Sequence, residues 1–223
     1  MQLLPVVFEF LTAIDNNNNR EWFSQNRDLY ESALKNVQDF VSAVIGGISG
    51  FDASVGDQEA KKCIYRIYRD IRFSPDKRPY KIHFGAYIAP QGKQSNNAGY
   101  YLHIQPDMSF LSGGLWCPES ALLKKIREEI YYAPEELHQI LESKNFKSVF
   151  GKLIDIESLK KSPRNYPADF EYIYLLKYRH FCVERAVSNS ETLAPDFLEK
   201  CIQTYQSIFP LVNYMNRLIK IRD

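Results

Sequence analysis

Apolar residues recur at three-to-four spacing from Trp22 through Phe23, Leu29, Tyr30, Ala33, Leu34, Val37, Phe40, Val41 and Val44 to Ile48. One wide apolar stripe of this kind predicts a long helix from about Arg20 to Ile48. Asn18 and Glu21 stand at capping spacing before it, and Gly46, Gly47 and Gly50 loosen its end. The preceding segment MQLLPVVFEFLTAI reads as a short core helix, and the Asn16–Asn19 run turns the chain between the two. At the other end, Phe197, Leu198, Cys201, Ile202, Tyr205, Ile208, Leu211, Val212, Tyr214 and Leu218 form a second long stripe. It predicts a helix from about Pro195 to Ile221, kinked at Pro210.

Between these helices the period changes to two. Residues 63–73 alternate, with Tyr65, Ile67, Ile71 and Phe73 on one side and Arg66, Tyr68, Asp70 and Arg72 on the other. Arg69 falls on the apolar side, which requires either a buried partner or a bulge. Further strands are predicted at 83–89, 100–105 and 109–117, joined by short polar connections that favour antiparallel pairing. A helical section follows from about Glu119 to Ser143, broken near Ala133 and Pro134. Residues 145–167 receive no assignment, Asp169 to Leu176 reads as a short helix, and His180 to Val187 as a strand. The pattern gives an α+β class: a single domain over 1–223, with an antiparallel sheet of about four or more strands packed by long N-terminal and C-terminal helices.

Composition agrees with a folded core. The chain has 223 residues, 45% apolar and 14% aromatic, which excludes a disordered protein. The net charge of +1 argues against a general polyanion-coating protein. Cys63, Cys117, Cys182 and Cys201 form no CxxC pair, and their scatter implies unpaired thiols in a reducing compartment. The N-terminal segment has no basic region before its apolar part, Glu9 interrupts it, and no apolar run reaches the roughly 20 residues of a membrane span. These features predict a soluble, cytoplasmic protein with no membrane partner.

Charge is concentrated in one place. Lys61 to Lys81 carries eight basic residues and two acids, a local +6 in a chain of +1. On the predicted strand, Arg66, Asp70 and Arg72 share a face, where Asp70 stays ionised and orients both guanidiniums. The turn from Ser74 to Tyr80, stiffened by Pro75 and Pro79, then presents Lys77, Arg78 and Lys81. Oriented arginines with spare N–H donors suit phosphate or carboxylate. The bland alternative pairs these cations with helix acids such as Glu128, Glu129, Glu135 and Glu136. The N-terminus of the long helix, with Arg20, Glu21, Asn26 and Arg27, joins the site if it packs nearby.

The same residues carry a resemblance. Arg66-x-x-Arg69-Asp70-x-Arg72-Phe73-Ser74-x-Asp76-Lys77-x-Pro79-Tyr80-Lys81 resembles the core signature of a bacterial and fungal family, domain of unknown function 2461. Asn17 to Phe23 with Asn26, Arg27 and Tyr30 resembles the family's opening motif. Tyr100 to Ile104, Gly113-Gly114 with Pro118, and Leu159-Lys160 with Pro163 and Tyr166 resemble its later parts. Ile82 stands where the family usually has Thr. The resemblance implies one domain over most of the chain and brings no activity, ligand or catalytic residue with it.

Three functions fit these residues. The first is binding of a phosphorylated or carboxylated small molecule by Arg66, Arg69, Arg72, Ser74, Lys77, Tyr80 and Lys81. The second is an enzyme acting on a phosphate-containing substrate, with Asp70 or Asp76 as acid/base or orienting group and His103 as helper. The third is single-stranded nucleic-acid binding on a sheet of alternating basic and aromatic residues. His83 is a second candidate base. His180 and Cys182 lack a complete ligand set, so no metal is assigned, and no motif calls for a cofactor. Gly113-Gly114 is not followed by a phosphate-loop Gly-Lys and marks a bulge or a close approach. The sequence does not fix the oligomeric state.

Overall fold

The computed structural model describes residues 1–56 and 58–220. Its sheet has four strands, β1 (Phe84–Ile88), β2 (Gly99–Ile104), β3 (Ser109–Leu115) and β4 (Phe181–Val187), in the order β1-β2-β3-β4 and all antiparallel. Strand alternation divides the side chains. On one face Phe84, Ala86, Ile88, Tyr100, Leu102, Leu111, Leu115, Phe181 and Val183 are buried. On the other, register places Tyr87, Tyr101, Ser112 and Glu184 in one row across all four strands. Gly85, His103, Phe110 and Ala186 make the next row.

Helices cover the first face. They are α1 (Pro5–Asn16), α2 (Arg20–Gln25), α3 (Arg27–Ser49), α4 (Ala60–Cys63), α5 (Ser120–Tyr132), α6 (Glu135–Glu142), α7 (Lys144–Phe150), α8 (Ile173–Lys177), α9 (Asn189–Thr192) and α10 (Phe197–Lys220). The two long helices, α3 and α10, pack together, with Phe40 stacked on Phe197 at 5.5 Å. A Cβ on Gly47 would meet Ile202 Cδ1 at 2.4 Å, so this glycine sets how closely α10 approaches. Gly47 therefore serves packing, and α3 runs past both glycines to Ser49. Among the described residues no helix is long and apolar enough to cross a membrane.

The α+β class, the antiparallel sheet and the long terminal helices agree with the sequence pattern. Three local expectations are corrected. The helix from Arg20 is interrupted at Asn26, whose φ of −113° and ψ of 28° leave the helical region. There Asn26 Nδ2 and the Asn26 backbone N–H both donate to the Trp22 carbonyl and end α2. The cap of α2 is Asn19, which accepts from Trp22 N at 2.9 Å, rather than Asn18. The third correction concerns 63–73, which forms no strand of the sheet and is described with the site below. The unassigned stretch after Ser143 begins with α7, capped by the Ser143 hydroxyl. At the C-terminus α10 continues through Pro210 to Lys220, and the expected end at Ile221 lies outside the described residues.

Irregular segments close both sheet edges, where unpaired backbone groups would otherwise invite another chain. At β1, Ile64 bridges Ala86 and Tyr65 N–H donates to the Gly85 carbonyl at 2.9 Å. At β4, Ile154 N–H donates to the Cys182 carbonyl at 2.8 Å. Asn216 of α10 is buried and holds the β1–β2 connection by accepting from Ala98 N at 2.8 Å and donating to Ala98 O at 3.1 Å. Removing that side chain strands two buried backbone groups. Asn216→Ala is expected to cost about 2 kcal/mol, within the range for unsatisfied buried groups. Urea unfolding measures it, and an unchanged midpoint would contradict the role given to Asn216.

Candidate functional site

Residues 64–81 are held by bonds within themselves. Tyr68 bridges Tyr80, flanked by Arg69 N–H to Pro79 O at 2.9 Å and Lys81 N–H to Ile67 O at 2.8 Å. The chain thus folds back on itself instead of extending the sheet. Aspartates enforce this: Asp70 Oδ1 accepts from Arg72 N, and Asp76 Oδ1 accepts from Arg78 N. Each bond reaches two residues on, the turn geometry that competes with a ladder. The predicted strand 63–73, with Arg66, Asp70 and Arg72 on one face, is replaced by this clip. The basic and aromatic alternation that suggested a nucleic-acid stacking sheet loses its strand as well.

The cations of this segment separate into two groups. Arg69 is the exception that needed a partner, and it has three. It donates to Asp76 Oδ2 at 2.7 Å, to Arg78 O at 3.1 Å and to the Ser74 hydroxyl at 3.4 Å. Asp76 also accepts from Arg78, which reaches Asp15 of α1 at 3.1 Å. Arg72 lies bidentate on Asp70, at 3.0 and 2.6 Å. Lys77 donates to the Ile71 carbonyl at 3.1 Å. The partners are therefore acids of the segment itself and Asp15, not Glu128, Glu129, Glu135 or Glu136. Arg78 beside Asp76, and Arg72 beside Asp70, hold both carboxyls below the usual carboxylate range. Arg66 and Lys81 differ: among the described residues neither has a carboxylate within ion-pair distance.

The opening motif does pack against this segment, as a clamp. Asn18 Nδ2 donates to Tyr80 O at 3.1 Å, and Tyr80 N–H donates to Asn18 Oδ1 at 3.0 Å. The buried Tyr80 ring stacks on Phe23 of α2 at 4.2 Å. Tyr80 is thus a structural pin, and it fixes where the next residue, Lys81, emerges.

Lys81 emerges at a cavity of about 590 Å³ over the second face of the sheet, inside the range of roughly 300–1,000 Å³ common for small-molecule sites. The row Tyr87, Tyr101, Ser112 and Glu184 lines it. Tyr65, Lys81, His83 and Lys93 line it on the β1 side, and Ile154 and Ile156 on the β4 side. Trp116, Cys117 and Leu122 follow the end of β3 into the wall. A Cβ on Gly114, at φ +122°, would lie 2.0 Å from Phe181 O, and one on Gly113 would lie 2.8 Å from Ile208 Cγ2. The glycine pair is a close approach of β3 to β4 and α10.

The charges in the cavity are arranged unevenly. Lys93 Nζ donates to the carbonyls of Ile64 at 2.7 Å and Lys61 at 3.3 Å. Among the described residues the Lys81 Nζ has only the Tyr65 ring, at 5.3 Å from its centroid. Burial, then Arg66 and Lys93, push the Lys81 ammonium below its ordinary pKa. His83 and His103 lie ring to ring at 4.3 Å, and His103 stacks on Phe110 at 4.5 Å. Tyr101 Oη lies 3.1 Å from His103 Nδ1, and Gln105 Oε1 lies 2.9 Å from its Nε2. Burial pushes the Tyr101 phenol up to about 12. His180 stacks on Trp116 at 4.3 Å and accepts from Cys117 N, while Cys182 is buried. Among the described residues no three His, Cys, Asp or Glu side chains are placed to hold a metal.

Of the residues expected to act together, Lys81 alone lines the cavity, His103 supports Tyr101 beneath it, and Arg66 stands beside Lys81. Arg69, Ser74, Asp76 and Arg78 form the turn's interior bonds, and Asp70 with Arg72 forms an exposed pair. Lys93 carried no signal in the sequence, and Tyr87, Ser112 and Glu184 carried none beyond their strands β1, β3 and β4.

Half-buried His83 has a pKa lowered from 6.5 to about 4 by desolvation, then by His103 and Lys81. Between these values the unfolded chain binds a proton that the folded chain refuses, so stability falls as pH drops from 6.5 to 4. His83→Gln is expected to flatten that part of the profile. Urea midpoints across the window measure it, and an unaltered slope would contradict the environment described for His83.

Neither the curated proteins nor the solved structures contain a match to this chain. A family model described as conserved hypothetical protein (DUF2461) matches residues 6–214. With nearly its whole length matched, and with the motifs that build the turn, the clamp and the sheet inside the match, the chain belongs to the DUF2461 family.

Proposed function

We propose that this protein binds a small molecule bearing a carboxylate or phosphate in the cavity over the second sheet face, with Lys81 as the main anion ligand. The observation that carries this reading is the Lys81 ammonium. It lines the cavity, it is half-buried, and its charged neighbours are Arg66 and Lys93. Like charges crowded at a desolvated site are unfavourable until an anion arrives. Lys93, tied to two carbonyls, is a fixed second charge. Tyr65, Tyr101 and Trp116 give the rest of the ligand apolar faces to lie against. Relative to the whole basic segment, the proposed site is narrower. Lys81 and Arg66 serve the ligand, whereas Arg69, Arg72 and Arg78 hold the turn that positions them. Asp70 and Asp76, pinned as carboxylates by arginine, are orienting groups for that turn.

Calorimetric titration with a panel of fatty and aromatic carboxylates and aromatic phosphate monoesters tests the reading. Lys81→Met is expected to weaken the tightest-binding member by about tenfold, a change of about 1.4 kcal/mol, with little change in melting temperature. Arg72→Ala is expected to leave affinity unchanged. Equal affinity in the Lys81→Met protein would overturn the proposal. Arg69→Ala is expected to act differently, lowering the melting temperature because Asp76, Ser74 and the Arg78 carbonyl all lose their donor. A melting temperature equal to that of the unaltered protein would show that Arg69 does not hold the turn.

A further inference from the structure

The four strands contain a single acidic residue, Glu184. It ends the row Tyr87, Tyr101, Ser112 and Glu184, directly opposite Ser112 in the register. Its neighbour Arg185 points to the other face and pairs with Glu191 at 2.6 Å. Glu184 has no such arrangement: among the described residues no hydrogen bond or ion pair reaches its carboxylate. It is an exposed residue that lines the cavity, and partial desolvation there lifts its carboxyl above the usual range. The nearest hydroxyl in the row, Ser112, lies about 5 Å away by Cβ in antiparallel pairing. The cavity thus has an unpaired cation at the β1 side and an unpaired carboxylate on β4. Three strand spacings, about 14 Å, separate β1, which follows Lys81 in the chain, from β4, which bears Glu184. Aromatic and aliphatic side chains lie between and around them.

We infer that the ligand is amphoteric: its anionic group meets Lys81, its apolar body crosses Tyr101, and an amine or other cationic group meets Glu184. This rests on the anion reading above and adds the second end. An unpaired carboxylate on a partly desolvated wall gains from a cation in the same way that Lys81 gains from an anion. Ser112 supplies a hydroxyl oxygen beside that position. Glu119 also lines the cavity, at the start of α5, and is the control for the assignment.

The probes are ω-amino fatty acids from caproate to laurate, each compared by calorimetry with the fatty acid of equal length lacking the amine. At the best length, the amine is expected to tighten binding about fivefold, the gain of one ion pair near a surface. Glu184→Gln is expected to erase that preference and leave affinity for the plain fatty acid within about twofold. Glu119→Gln is expected to keep it. Plain fatty acids binding with no gain from the amine would overturn the inference and leave the anion site standing. A preference retained in Glu184→Gln, or lost in Glu119→Gln, would overturn the assignment to Glu184. If neither series binds at any length, the inference falls, and the anion site stands or falls on the aromatic carboxylates and phosphate monoesters above.

Discussion

The long helices α3 and α10 cover one face of the sheet, and the rest of the arrangement follows from that constraint. Alternation sends Tyr100, Leu102, Leu111 and Val183 into the core under α3 and α10. It necessarily sends Tyr101, Ser112 and Glu184 the other way. A one-residue slip of register would exchange the two sets and bury Glu184, so the packed face fixes the position of the open one. The edge segments at Ile64 and Ile154 then satisfy backbone groups that would otherwise be exposed, and their side chains and neighbours become cavity walls. The result is a face that is polar, aromatic and walled on both sides.

The basic segment is subordinate to this frame. Three of its arginines are paired with acids, with Asp70 and Asp76 inside the segment and with Asp15 of α1. Exposed pairs of this kind add little stability singly. Their consequence is geometric. The Arg69–Asp76–Arg78 bonds shape the turn, Asn18 and Phe23 pin Tyr80, and Lys81 follows immediately with its backbone bonded to Ile67. The charge density therefore marks the scaffold of the site more than its contacts. One uncommitted lysine is delivered to the cavity by a turn made rigid with committed arginines.

Much of the fold was legible because its signals are local and periodic. The stripes of α3 and α10, the break at Ala133-Pro134 and the alternation of β1 to β4 all lie within short windows of sequence. The segment 63–73 misled for an equally physical reason. Its apolar and polar residues do alternate, but Asp70 and Asp76 bond backbone N–H groups two residues on and turn the chain away from the sheet. Lys81 was visible as part of a charged run, and His103 as a strand histidine. Lys93 and Glu184 were not, since a lysine in a loop and a glutamate on a strand look like any solvated residue. Only the register that sets Glu184 beside Ser112, and the fold that brings Lys93 back to Ile64, bring them to the wall of one cavity.

The central claim is that an anion enters over the second sheet face and not at the charged turn. Backbone and side-chain chemical shifts, followed by NMR while octanoate is titrated into the protein, test it most directly. The account predicts that the largest changes fall on Tyr65, Lys81, Lys93, Tyr101 and Ser112, with Arg72, Phe73 and Lys77 nearly still. Changes concentrated at Arg72, Phe73 and Lys77, with the sheet residues unmoved, would contradict it.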